Sequence, residues 1–152
     1  MTAEEINAME AGEALDAEVA VRVFGWEWFR VERHFEPPRG REQWRALRET
    51  RKFYDRFTVA DGTEPVWTDY GEHPPRYSTE PGAAWQVIEK LSADTSACMP
   101  RIFRSTYRGE RGTQRDWTCQ VWYHEGDGTN FHEGRGETMP LAVCRCALLS
   151  VL

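Results

Sequence analysis

The stretch LDAEVAVRVFGW, from Leu15 to Trp26, predicts an amphipathic helix that ends at a Gly-Trp pair. Small and apolar residues recur at intervals of three and four positions, which places them on one helical face. This face comprises Ala8, Gly12, Leu15, Val19, Val23 and Trp26. Gly25 is a suitable C-terminal stop, because glycine readily adopts the left-handed conformation that ends many helices. We therefore expect Leu15, Val19 and Val23 to be buried in the core.

The residues before Leu15 predict where the helix begins and where it can be interrupted. Thr2 is a suitable N-cap, and Glu4 and Glu5 follow in the first turn, where carboxylates suit the positive helix end. Gly12 costs about 1 kcal/mol relative to alanine inside a helix. It either permits close packing or marks a break between two helices.

After Trp26 the pattern of apolar residues changes from helical spacing to alternation. This alternation predicts a strand from about Glu27 to His34. Residues 36–72 are less regular, although Trp44 and Leu47 have the spacing of a helical face. A second helix is predicted from about Glu80 to Leu91, with Pro81 in its first turn. Its apolar stripe comprises Ala84, Trp85, Ile88 and Leu91, and Ser78 or Thr79 can cap it.

The C-terminal third predicts a hairpin followed by a buried helix. Two alternating segments flank the polar loop from Gly109 to Gly112, which is typical of an antiparallel pair. One hairpin face is mainly apolar, and the other is mixed and carries Arg104, Thr106, Gln120, Trp122 and His124. The segment from Glu125 to Glu137 holds four glycines and is predicted to be a loop. Thr138 then caps a helix that has Pro140 in its first turn and is apolar nearly all round.

Composition limits the class of protein. The 152 residues suffice for a single domain with a real core, and the net charge of -6 argues against bulk nucleic-acid binding. No run of about 18 apolar residues predicts a membrane span, and the N-terminus does not have the pattern of a signal peptide. We therefore expect a cytoplasmic protein. Its cysteines, which are then expected to be free thiols, are Cys98, Cys119, Cys144 and Cys146.

Four motifs occur in an order that resembles the phage ABA sandwich domain family. They are LDAEVAVRVFGW, the Pro75-x-Tyr77-Ser78-Thr79 segment before AAWQVIEKL, a Trp-x-Cys strand, and Thr138-Met139-Pro140-Leu141-Ala142-x-Cys144. The resemblance covers residues 10–26, 74–91 and 115–150 and leaves the segment at about 36–72 as a variable, insertion-like part of the domain. It implies an α+β fold in which helices lie on both sides of an antiparallel sheet, in α-β-α layers. The resemblance implies little about activity.

Motifs for catalysis and metal binding are weak throughout the chain. Cys144 and Cys146 would lie about 200° apart on a helix and cannot share one metal ion there. His124 and His132 flank a glycine-rich loop without accompanying carboxylate ligands. No phosphate-binding loop and no G-x-S-x-G motif is present in the sequence. The sequence therefore favours a protein without a metal, a cofactor or catalytic residues, with an enzyme assembled from scattered residues as the remaining option.

One constellation of residues fits an anionic ligand. The start of the second helix offers free N–H groups beside Tyr77, Ser78 and Thr79, and helix starts of this kind hold phosphates. The simpler interpretation is that Ser78 or Thr79 only caps the helix. Arg104 can pair with phosphate, and tryptophans can stack on a base. The candidate ligand-binding residues are Trp26, Tyr77, Ser78, Thr79, Arg104 and Trp122.

Two functions follow as hypotheses. The first is a non-enzymatic phage accessory protein that antagonises host defence by sequestering a small nucleotide-derived ligand. The alternative is a protein-binding module that inhibits a host or phage protein, and either can act as a homo-oligomer. Sequestration requires an enclosed polar pocket with arginine and aromatic residues, whereas protein binding requires an exposed apolar patch. Neither function involves bulk nucleic acid or a membrane.

Overall fold

The computed structural model describes residues 1–34, 41–48, 66–67, 74–94, 100–109, 112–125 and 128–152. These residues form four helices and six strands. In chain order they are α1 (Ala3–Ala8), α2 (Glu13–Arg22), β1 (Glu27–His34), β2 (Arg41–Arg48), β3 (Val66–Trp67), α3 (Pro81–Asp94), β4 (Arg101–Gly109), β5 (Gly112–Glu125), β6 (Gly128–Gly136) and α4 (Met139–Leu149). Among the described residues, no helix has both the length and the apolar character that crossing a membrane requires.

The N-terminal region forms two helices, so Gly12 marks a break. Its φ of 148° is outside the helical range, and it is the N-cap of α2. Thr2 caps α1 as predicted, in a capping box with Glu5. Gly25 has a φ of 71°, the left-handed conformation expected at a helix end. The sequence therefore predicted the outer limits of this region and left the break at Gly12 as one of two options.

The helices share one buried core. Leu15, Val19 and Val23 are buried as predicted, in a cluster that also includes residues of α3, β5 and α4. The predicted apolar stripe of α3 was wrong at one position, because Trp85 is 52% exposed to solvent. Val87, two positions later, is buried in its place. The α3 stripe thus runs through the smaller side chains, and the largest one faces solvent.

The strands form two three-stranded sheets. In the first, the order is β2-β1-β3, with β1 antiparallel to β2 and parallel to β3. The predicted bounds of β1 are confirmed. The helical spacing of Trp44 and Leu47 was misleading, because both lie in strand β2. The rest of the insertion-like segment at about 36–72 lies outside the described residues, apart from β3.

The second sheet has the order β4-β5-β6 and is antiparallel throughout. It includes the predicted hairpin, but the prediction of a loop from Glu125 to Glu137 was wrong, because β6 occupies most of that segment. Gly134 and Gly136 lie in β6 and do not mark a loop. They allow α4 to approach the strand, since a Cβ atom at Gly136 would lie 2.7 Å from Cγ of Leu141.

Helix α4 packs on β5 and β6 and contacts the other three helices. The prediction for this helix is confirmed, because Thr138 accepts a hydrogen bond from the Leu141 amide and α4 is buried on nearly every side. Four helices and a three-stranded antiparallel sheet make the fold α+β, as the sequence predicted, and the ABA sandwich description is consistent with it.

The register of the hairpin corrects the face to which two residues were assigned. Arg104 pairs directly with Trp117, and Phe103 pairs with Thr118. Paired residues of antiparallel strands point to the same side, so Arg104 lies on the face of Trp117, Cys119 and the helices. The expected position of Arg104 and Thr106 beside Gln120 and Trp122 was wrong, since Thr106 pairs with Arg115 and lies on the same side as Arg104. Both hairpin faces contain aromatic residues, so the alternating pattern alone did not show which face of β4 lies on the same side as which face of β5.

Candidate functional site

The side of β4–β6 that points away from α4 carries exposed aromatic residues. We call it the outer face and define it by Phe103, Thr118, Gln120, Trp122, Phe131 and Glu133. Cys119 and Val121 of β5 are buried in the core with α4, so their neighbours along the strand point the opposite way. The pairs Trp122–Phe131, Gln120–Glu133 and Phe103–Thr118 then lie in successive rows across the sheet.

Two phenylalanines of the outer face are largely accessible. Phe131 is 45% exposed, and Phe103 is 40% exposed. The rings of Phe131 and Trp122 are in contact, with centroids 4.9 Å apart. The guanidinium of Arg101 lies 5.4 Å from the centre of the Trp122 ring, within cation–π range. This end of the outer face is therefore an aromatic surface with a cationic group above it.

The polar groups of the outer face mostly bond to one another. Gln120 donates from Nε2 to Glu133 at 2.7 Å, and Arg135 forms an ion pair with the same carboxylate at 2.6 Å. The hydroxyls of Ser105 and Thr118 share a hydrogen bond of 2.7 Å, and Thr118 is only 1% exposed. The exception is Nε1 of Trp122, which is buried and has no hydrogen-bond partner among the described residues. A partner that covers this face would therefore leave the hydrogen bonds of Gln120, Glu133 and Thr118 intact.

A cavity of about 890 Å³ lies beside the outer face, between the α1–α2 connection, β6 and the start of α4. Its lining is polar and acidic, with four carboxylates and two guanidinium groups among the side chains. The lining residues are Asn7, Ala8, Glu10, Ala11, Asp116, Glu133, Arg135, Gly136, Glu137, Thr138, Leu141 and Arg145. None of them is aromatic.

Arg145 of α4 links two walls of the cavity. It donates from Nη1 to the carbonyl of Arg135 at 2.7 Å and from Nη2 to the carbonyl of Met9 at 2.6 Å. Burial lowers the pKa of Arg145, and the nearby Asp116 and Glu137 carboxylates oppose that shift. Two donor groups of this guanidinium are thus committed to the backbone, where they hold the N-terminal segment against β6.

A comparison with known protein families identifies the fold family. The model of the phage ABA sandwich domain matches residues 17–148, which is most of the chain. The chain belongs to the phage ABA sandwich domain family. No curated protein and no solved structure matches it. The resemblance seen in the sequence is therefore confirmed, and the match extends across the variable segment that the motifs had left uncovered.

This ABA sandwich domain buries much of the predicted helix-start site. Tyr77 is 2% exposed, and its ring stacks on Phe24 at 5.0 Å. Ser78 is fully buried, where its amide donates to Oδ1 of Asp16 at 2.7 Å and its hydroxyl accepts from the Gly12 amide at 2.9 Å. Thr79 is exposed. Ser78 thus joins the helix break at Gly12 to the segment before α3.

The other predicted ligand residues of the ABA sandwich domain lie apart from one another. Trp26 is partly buried against the core. Arg104 is exposed on the helix side of the sheet, 5.3 Å from the Trp117 ring, whereas Trp122 belongs to the outer face. None of the six predicted ligand residues lines the cavity. The structure therefore does not bring Arg104 and Trp122 together.

Sequence reasoning missed Phe131 and the cavity residues of the ABA sandwich domain. Phe131 is the single large apolar residue of β6, so no alternation of apolar and polar residues marked a strand there, and the glycines indicated a loop. Glu10, Glu137 and Arg145 come from three separate parts of the chain. No local motif joins those three residues, so only the tertiary fold reveals their proximity.

The described cysteines of the ABA sandwich domain are buried free thiols: Cys119, Cys144 and Cys146. Cys98 lies outside the described residues. Hydrogen bonding with Cys146 and burial raise the pKa of Cys119, and burial raises the pKa of Cys144. Cys146 donates to the His132 carbonyl at 3.4 Å. Within the described ranges, no group of three or more candidate ligands could hold a metal ion.

Proposed function

We propose that this protein is a phage accessory protein that binds a host or phage protein in the bacterial cytoplasm and inhibits it. The observation that carries this proposal is the exposure of Phe103 and Phe131 on a regular sheet face, next to Trp122 and Arg101. Aromatic and arginine residues are enriched at protein interfaces, where they supply most of the binding energy.

The rigidity of the outer face supports this proposal. Its aromatic residues project from paired strands, and Trp122 is directly opposite Phe131. Side chains held in this way lose little conformational freedom when a partner covers them, so more of the contact energy remains as affinity. Because Gln120, Glu133 and Arg135 already bond to each other, covering them costs less than covering unpaired polar groups.

Sequestration of a nucleotide-derived ligand has less support among the described residues. The cavity is within the size range of small-molecule sites, which is roughly 300–1,000 Å³. Its four carboxylates would repel phosphates, however, and none of its described lining residues has an aromatic ring for stacking a base. The exposed Thr79 and Arg104 belong to separate surfaces. Protein binding is therefore the function that we favour.

Affinity capture with matched variants tests the proposal. Tagged wild-type protein, Phe103→Ser/Phe131→Ser and Trp85→Ser would be expressed in the bacterial host, and each co-purifying protein would be identified. Binding would then be measured with both components purified. Trp85 is an aromatic residue on α3 that is somewhat more exposed than Phe103 or Phe131, so its variant controls for general loss of apolar surface.

We expect the double variant to weaken binding at least about tenfold, since interface aromatics contribute on the order of 2 kcal/mol each when truncated. The Trp85→Ser variant should bind as the wild type does. Circular dichroism and thermal melting of each variant would establish that the fold is intact. A folded double variant with wild-type affinity would contradict the proposal.

A further inference from the structure

We infer that the partner places a carboxylate, from an aspartate or a glutamate, against Arg101 and the indole N–H of Trp122 when it covers the outer face. This inference rests on the proposed protein-binding function and specifies the chemistry of the partner at that surface. Two observations carry it. Among the described residues, the guanidinium of Arg101 has no ion-pair partner, and Nε1 of Trp122 has no hydrogen-bond acceptor.

Arg101 supplies a cation to the edge of the outer face. It is on the same side of β4 as Phe103, and its side chain is exposed. Its contact with the Trp122 ring provides electrostatic attraction but no oxygen to accept its N–H groups. Arginine presents those groups in a planar fork that matches a carboxylate. The guanidinium is therefore accessible to an acidic group that arrives from outside.

The carboxylate of the outer face that shares a row with Arg101 is already engaged. Arg101, Gln120 and Glu133 lie in one row across β4, β5 and β6. Glu133 accepts from Gln120 at 2.7 Å and pairs with Arg135 at 2.6 Å, on the far side of Gln120 from Arg101. The chain as a whole carries a net charge of -6, but exposed charges farther apart than roughly 8 Å are largely screened. The local charge at Arg101 therefore favours an acidic partner.

The indole of Trp122 is the second donor of this site. Its Nε1 is buried, and no described residue accepts its hydrogen. A buried N–H group without an acceptor is unfavourable, so an oxygen that reaches it is bound preferentially. Phe131 and Arg101 contact the ring, and both side chains are exposed, so they can shift without repacking the core. A carboxylate can then accept from the guanidinium with one oxygen and from the indole with the other.

The site lies beside the path between the two exposed phenylalanines. Phe103 follows Arg101 by two positions on β4, a distance of about 7 Å along the strand. Phe131 contacts Trp122 on the other side. A segment that touches both phenylalanines passes over Gln120, next to Arg101 and Trp122. The partner segment that fits is therefore an acidic residue flanked by apolar side chains.

The first arm of the test measures affinity for the captured partner, with both proteins purified. Arg101→Gln should weaken binding about tenfold, because a charge-assisted hydrogen bond is lost. Arg104→Gln is the matched control and should bind as the wild type does, since Arg104 is also exposed beside a tryptophan ring but on the opposite side of β4. Added salt should weaken the wild type more than Arg101→Gln. Wild-type affinity in Arg101→Gln would overturn the inference.

The second arm removes only the indole N–H. Trp122→Phe keeps an aromatic ring and should weaken binding by about threefold or more. Trp85→Phe makes the same change on α3 and should have no effect. A loss of affinity in Trp122→Phe without one in Arg101→Gln would show that the acceptor is uncharged, which rules out the carboxylate. Circular dichroism and thermal melting of each variant report whether its fold is intact.

An NMR titration of the full, isotopically labelled chain tests the site without the partner. The probe is the N-acetylated, C-amidated dipeptide of phenylalanine and glutamate, and the dipeptide of phenylalanine and glutamine is its uncharged control. Loss of one indole resonance in Trp122→Phe identifies the Trp122 N–H. We expect the glutamate dipeptide to shift this resonance in the wild type but not in Arg101→Gln. Equal shifts with both dipeptides, or no shift with either, would overturn the inference.

The outcomes separate this inference from the proposed function. If Phe103→Ser/Phe131→Ser loses the captured partner while Arg101→Gln keeps wild-type affinity, the function stands and the acidic contact is ruled out. If the glutamate dipeptide shifts the Trp122 indole in a manner that requires Arg101, and the double variant still keeps its partner, the carboxylate site stands and the outer face is not the interface.

Discussion

Gly134 of β6 lies so close to Cys146 of α4 that a Cβ atom at position 134 would overlap the Cys146 amide nitrogen. The same atom would lie 2.8 Å from Cα of Cys146. Both obstacles are backbone atoms, which cannot rotate away as the end of a flexible side chain can. The contact between the sheet and its covering helix therefore depends on the absence of a side chain at this position.

Replacing Gly134 with alanine should destabilise the fold by about 1–3 kcal/mol or more, because the helix must move away from the sheet. Gly82→Ala is the matched control, since a Cβ atom there meets nothing within 4 Å and the position is helical. That control should leave stability unchanged or raise it by up to about 1 kcal/mol. Urea denaturation measures both, and equal midpoints for the two variants would refute the close-packing account.

The buried link from Asp16 through Ser78 to Gly12 predicts a contrast between two adjacent hydroxyl residues. Ser78→Ala should cost about 1–3 kcal/mol, because it leaves the part-buried Gly12 amide without its acceptor. Thr79→Ala should change stability by less than about 0.5 kcal/mol, because Thr79 is exposed. Chemical denaturation of the wild type and the two variants measures these changes in the free energy of unfolding. Equal effects of the two substitutions would show that Ser78 does not support the helix break.

These two contacts show why sequence patterns predicted only part of the fold. Helix ends depend on nearby residues, so Thr2, Gly25 and Thr138 were identified from local chemistry. The role of Gly134 depends on a helix that begins five residues later and folds back over the strand. Because a glycine in a loop and a glycine beneath a helix look alike in sequence, β6 was predicted as a loop.

The candidate site was less predictable than the fold because its parts are remote in sequence. Ser78 was expected to act locally, as a cap or at a ligand, but its hydroxyl bonds to Gly12, 66 positions away. Arg104 was placed on the wrong hairpin face, because strand register is set by pairing with Trp117 and not by composition. Phe131 was missed together with its strand.

His132 should make stability depend on pH. Burial lowers the pKa of this imidazole, which stacks on Tyr123 at 4.6 Å. In the unfolded chain its pKa returns to roughly 6.5. Between these values the unfolded state binds a proton that the folded state does not, so stability falls as the pH decreases through about 6.5 and levels off below the folded pKa.

The variant His132→Phe tests this pH dependence, since it keeps an aromatic ring against Tyr123 and removes the titrating group. Denaturation midpoints would be compared at pH values on either side of about 6.5. The wild type should lose more stability on acidification than the variant does. An identical loss in both proteins would show that His132 does not contribute to the pH dependence.

The buried thiols should be slow to react in the folded protein. Cys119, Cys144 and Cys146 are inaccessible, and the raised pKa values of Cys119 and Cys144 keep those two groups protonated. A Cys98→Ser variant isolates these three cysteines. It should show no rapid reaction with Ellman's reagent under native conditions and three reactive thiols in denaturant without reductant. Fewer than three in denaturant would indicate a disulfide and contradict the expectation of free thiols.

Site-specific photocrosslinking in the bacterial host tests protein binding through the outer face most directly. A photoreactive phenylalanine analogue would replace Phe131 in one variant and Trp85 in another, since both positions are exposed and lie on different elements. We expect a discrete crosslinked product with one host or phage protein at position 131 and none at position 85. Absence of a product at 131, or the same product at both positions, would contradict an interface on the outer face.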